Sequence, residues 1–227
     1  MCLGGLFELV NAMDTIESSL FLRVFKWCVV IIEEIHAFPL RRSAFMIPLK
    51  SIMSALAKID MQGFVAHTSC NMRNMNKLPS FEMFIRSLEF VELPIYPSQK
   101  LENTLTFLET MASYYDDVKG FSLREAFAIT LHSMLSSIVP KVSAEVYIPR
   151  WNKIFVKMLL RRTFRICEKQ KHRASTLRLA VIVLCLCDKK TFQEKWDGLA
   201  DAISSLVRVC NAHFSIGYRL MITRLYP

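Results

Sequence analysis

Apolar residues recur along this chain at intervals of three and four, the spacing of one helix face, and no useful length shows the alternation of a half-buried strand. Leu20, Val24, Trp27, Ile31 and Ile35 make one stripe; Phe45, Leu49, Ile52, Leu56 and Ile59 make a second. The polar stretch Ala66 to Ser80 reads as an interval before a short helix around Phe81 to Phe90. Clean faces follow at Leu101, Leu105, Leu108, Ala112 and Tyr115, and at Leu123, Phe127, Leu131, Met134 and Ile138. Trp151, Ile154, Phe155, Met158 and Leu159 form the next, and Thr176 to Cys187 is apolar on all sides. The last two faces are Phe192, Trp196, Leu199, Ile203 and Leu206, then Phe214, Tyr218, Met221 and Leu225.

These helices fall into sequential pairs over about 100–139, 150–187 and 191–225, each pair the length of an armadillo- or HEAT-type hairpin, with no consensus repeating between them. A hairpin cannot bury its apolar face alone, so such pairs stack; a helix apolar all round suits the inner layer. Six glycines and eight prolines are too few for a many-turned β fold. The expected fold is therefore all-α: HEAT/armadillo-like stacked helical hairpins, an α-solenoid segment. A compact bundle would use the same helices, but the sequential pairing and short linkers favour the stack.

One stretch asks whether the chain is a catalyst. "KVSAEVYIPRWNKIF", Lys141 to Phe155, holds an acid, a proline and a tryptophan between two helical patterns. Pro140 stops the preceding helix, and Pro149 suits the first turn of the next, whose apolar face Trp151 begins. Glu145 precedes that helix start, where a carboxylate meets free backbone N–H groups. Each residue has a structural task at a joint, and no partner acid, base or metal set lies at matching spacing.

Composition narrows the function further. "LAVIVLCLC", Leu179 to Cys187, and "WCVVII", Trp27 to Ile32, are too short to cross a bilayer, which needs about 20 apolar residues. The N-terminus has an acid where a secretory signal carries basic residues, so a cytoplasmic protein is expected. Seven cysteines mostly occupy apolar helical positions, and Cys185 and Cys187 form C-x-C with no second pair nearby, so neither disulfide nor metal is expected. His36, His67, His132, His172 and His213 never pair at metal-ligand spacing, and the adjacent Asp116 and Asp117 point apart on a helix. No phosphate-binding glycine loop occurs. No catalytic residue, cofactor or metal is therefore expected.

The net charge of +9 points to acidic partners. Its densest run, Arg161 to Arg173, places Arg161, Arg162, Arg165, Lys169, Lys171 and Arg173 at one helix end and the loop after it. Cations favour that end of a helix dipole and keep an apolar protein soluble. The same run would also dock an acidic protein surface. A nucleic-acid binder is the alternative, weakened because nearby aromatics sit on core faces and not between exposed basic residues.

"AEVYIPRW", following "LSSIVPKV", resembles the N-terminal region of the Furry family, the cell morphogenesis proteins. "VELPIYPSQKLENTLTFLETMASYY", "LREAFAITLHSML", "KKTFQEKWDGLADAISSL" and "GYRLMITRLY" agree with that family in order. The likeness runs from about Met46 to the C-terminus, giving residues 1–45 as an N-terminal helical segment and 46–227 as the family-like helical repeat region. The proline that usually enters the helix here reading "RLAVIVLCLC" is missing. The resemblance implies a scaffold in cell polarity and morphogenesis. It would work with an NDR-type kinase and a Mob-type co-activator, at the cell cortex or sites of polarised growth. Members of that family are very long chains, and this sequence corresponds to only a portion of their N-terminal helical domain, as a fragment, a truncated product or a diverged short form.

Overall fold

The computed structural model describes residues 3–38, 40, 42–94, 98–139, 149–163 and 174–209, and among them every regular element is helical. In chain order these are α1 (Leu3–Asn11), α2 (Ser18–Ala37), α3 (Arg42–Ile59), α4 (Met61–Met75) and α5 (Phe81–Ser87). Then come α6 (Ser98–Asp117) and α7 (Phe121–Ser136). Helix α8 opens as an α-helix over Pro149–Asn152, widens into a π-helix over Lys153–Leu160 and continues as helix over 161–163. α9 (Ala174–Cys185) and α10 (Lys189–Val209) complete the described chain. None of these helices is long and apolar enough to cross a membrane.

Two rows of helices make the molecule. α4, α6 and α8 lie side by side in one; α3, α5, α7 and α9 lie in the other, with α1 against α3 and α2 across α3, α4 and α5. Named contacts fix the directions. Arg42 meets Glu82 at 3.2 Å and Lys50 meets Glu89 at 2.5 Å, so α3 and α5 run the same way. The Ser122 hydroxyl donates to Glu82 Oε2 at 2.7 Å and the Thr130 hydroxyl to the Ile85 carbonyl at 3.0 Å, so α5 and α7 do too. Between rows the sense reverses: indole Nε1 of Trp151, at the start of α8, donates to the Leu186 carbonyl just past the end of α9. Parallel helices within a row and antiparallel partners across rows are the arrangement of stacked hairpins. The pairs expected at 100–139 and 150–187 are α6/α7 and α8/α9. The second member of the last expected pair lies outside the described residues.

One continuous apolar core runs from Leu6 to Leu199. Phe25, Phe64 and Phe107 connect α2, α4 and α6 edge to face at 6.0 Å per step. Phe127 joins the rows, with Phe81 at 6.0 Å and Tyr115 at 6.2 Å.

Two expectations are corrected. Helix α2 buries Phe21, Val24, Phe25, Cys28, Ile32 and Ile35, and leaves Trp27 47% exposed. Its sequence offers two overlapping stripes, and the packed one puts two phenylalanines in the core beside Phe64. The polar interval from Ala66 is mostly the helix α4. Met61, Phe64, Val65, Thr68, Met72 and Met75 bury one face of it while its polar residues cover the other. Asp60 starts that helix by accepting the Gly63 N–H at 2.9 Å. A Cβ at position 63 would strike that carboxylate, which is why glycine suits the place.

Glu82 is the hub of the second row. It accepts from Ser122 of α7, from Arg86 of its own helix at 2.9 Å and from Arg42 of α3. Burial pushes its carboxyl up, but the Ser122 hydrogen bond and the Arg86 and Arg42 charges outweigh that and hold it below the usual range. A depressed carboxyl stabilises the fold above its unfolded value and loses that contribution as pH falls through the folded value. Glu82→Gln should therefore destabilise at neutral pH, and urea midpoints of the two proteins should converge as pH falls from neutral through the carboxylate range. A gap that stays constant over that interval would remove Glu82 as the titrating hub.

Candidate functional site

Helix α8 carries the described part of the basic run and is fastened to α6 at both ends. At its start Arg150 bonds Glu102, Thr106 and Glu109, and Lys153 bonds Glu109. The hydrogen bond from Lys153 is the largest influence on the Glu109 carboxyl; burial opposes it, and the Arg150 hydrogen bond with the two positive charges leaves the group below its ordinary range. At its far end the Arg162 guanidinium donates to the Val118 carbonyl at 2.8 Å, and its Nε lies 3.9 Å from Asp116. A cation set on the carbonyls just past the end of α6 also answers the negative end of that helix dipole. Inside, Trp151 packs edge-on against Phe155 at 4.7 Å.

The six basic residues therefore stand as follows. Arg161 is exposed. Arg162 is a strut to the α6–α7 turn, with its side chain 15% exposed. Arg165, Lys169, Lys171 and Arg173 lie outside the described residues, as does Glu145 at the joint. Structure adds Lys157, exposed one turn before Arg161 on the same helix. Their four-residue separation is visible in the sequence, but Lys157 stands apart from the dense run of charge that marks the site there. Nothing in the residue order announces the π-helical widening that carries it.

Cys28, Cys187, His132 and His67 are set in or against the core. Burial pushes the thiols of Cys28 and Cys187 up to about 12, the latter helped by Asp188 and Cys185, so neither is a thiolate at neutral pH. Burial, then the Arg178 charge, keeps the His132 imidazole below its ordinary value. His67 lies 5.7 Å from both Phe21 and Phe25, against the core. No three His, Cys, Asp or Glu among the described residues are placed to hold a metal ion. What α8 does offer among the described residues is an exposed pair of cations, Lys157 and Arg161, on a helix tied to α6 at both ends.

Residues 51–216 match the family described as cell morphogenesis N-terminal. The chain is similar to "Cell morphogenesis protein PAG1" of Saccharomyces cerevisiae, 24% identical over 147 residues, which is 65% of this chain and 6% of that protein. It is also similar to "Cell polarity protein mor2" of Schizosaccharomyces pombe, 24% identical over 118 residues, 52% of this chain and 5% of that protein. No solved structure matches.

Proposed function

The chain belongs to the cell morphogenesis N-terminal family, and from that premise we propose that it is a non-catalytic scaffold segment acting in cell polarity and morphogenesis. The observation that carries this reading is the family match lying on a stack of hairpins in which Glu82, Glu109, Arg150 and Arg162 are spent on holding helices together. An open stack presents a long edge on which two proteins can be held near each other, raising their effective concentration without chemistry.

The finer reading names the partners. An NDR-type kinase and its Mob-type co-activator are held along residues 46–227, at the cell cortex or sites of polarised growth. Arg161, Arg165, Lys169, Lys171 and Arg173 receive an acidic surface, while Arg162 keeps α8 on α6. Purified kinase and co-activator, immobilised together, give the test. Reversing Arg161, Arg165 and Lys169 to glutamate should weaken capture at least about tenfold with the helical content unchanged, since rim charges facing an acidic patch become repulsive. Equal capture returns the run to solubility. Binding of DNA or RNA that falls steeply with salt would favour the nucleic-acid reading instead.

A further inference from the structure

The outer face of α2 has the pattern of a seam that meets itself. Arg23, Trp27, Val30 and Glu34 follow one another at spacings of four, three and four, and all four are exposed. At 3.6 residues per turn they lie within about 60° of arc, over about 16 Å of helix. That is the stripe by which one helix packs along another. Trp27 and Val30, 47% and 52% exposed, are its apolar centre, one turn apart, where scattered surface hydrophobics would not be expected to align.

The charges say what fits there. Arg23 closes the stripe at one end and Glu34 at the other, and the flanking Lys26 and Glu33 repeat that polarity. None of the four makes an ion pair among the described residues. A helix basic at one end and acidic at the other, with an apolar middle, is complementary to its own copy laid antiparallel. With the two-fold axis midway between Cys28 and Val29, Arg23 faces the other Glu34 and Trp27 faces the other Val30, in one register. A two-fold contact requires this kind of self-complementarity, each pair occurring twice. We propose that α2 is a homodimerisation surface, and that a second copy of this chain seats antiparallel across Arg23, Trp27, Val30 and Glu34, with Lys26 and Glu33 at the edge.

Sedimentation velocity on the full chain over a concentration series tests it. The wild-type chain should show a concentration-dependent monomer–dimer equilibrium. Arg23→Glu puts Glu against Glu at both ends, and Glu34→Arg puts Arg against Arg. Each variant alone should self-associate at least about tenfold more weakly. Mixed one to one, they restore both attractions in a heterodimer, and R23E/E34R in one chain restores them in a homodimer. All positions are exposed, so helical content, and the melting temperature measured at concentrations where the wild-type chain is monomeric, should stay at the wild-type value, which separates lost contact from lost fold. A wild-type chain that remains monomeric overturns the proposal, as does a dimer indifferent to either reversal. Single variants that stay monomeric when mixed would overturn the antiparallel register.

Discussion

Phe127→Ala should lower the stability of the chain by about 3–5 kcal/mol, the cost of truncating a buried aromatic ring and leaving part of its volume empty. The ring is fully buried and touches Phe81 of α5 and Tyr115 of α6 from its own place on α7. It is thus shared by the two rows, and neither row can collapse into the vacancy without separating from the other. Aromatic edge contacts add to the area lost. Urea unfolding monitored by far-ultraviolet circular dichroism should show a lower midpoint with an unchanged slope. Phe127→Leu, which keeps most of the volume, should cost far less. A loss under about 1 kcal/mol for the alanine variant would contradict the packing of α7 between those neighbours.

Trp151→Ala should cost a similar amount, about 3–5 kcal/mol, but its consequences should concentrate in one hairpin. The indole is buried, packs edge-on against Phe155, and donates to the Leu186 carbonyl at 3.3 Å. Deleting it removes the side chain that fastens the start of α8 to the end of α9. Amide hydrogen exchange should then quicken across both helices while α3 and α5 keep their protection. Trp151→Phe separates the two contributions. It retains much of the packing but strands a buried carbonyl, so a loss of about 1–2 kcal/mol is expected from the hydrogen bond. If that variant matches wild type, the bond contributes nothing; if the alanine variant loosens α3 as strongly as α8, the stack unfolds as one unit. Because α8 carries Arg161, the alanine change should also weaken capture of an acidic partner without altering any charge.

The fate of each expectation follows the physics that produced it. Where one stripe dominates, as at Leu105, Leu108, Ala112 and Tyr115, the predicted and buried faces coincide. In α2 two stripes compete, and spacing alone chose the one that includes Trp27. In α4 the apolar side is built of three methionines, Phe64 and Val65 among many polar neighbours, so the sequence reads as an interval although one face is continuous. The start of α8 was legible because proline acts locally: the helix begins at Pro149, while the joint before it, residues 140–148, lies outside the described residues. The basic run was legible as composition, but not the division of its members, since Arg162 spends its charge on Val118, 44 positions away in the chain.

Helix content, pairing into hairpins and the place of α8's start belong to the sequence, because periodicity, proline and capping act over a few residues. The order of the rows, which face of α2 is outside, and which arginine is strut and which is free edge were decided only by tertiary packing. Those outcomes turn on contacts about 40 residues apart, where apolar areas compete and the larger burial wins, and no local pattern records the competition.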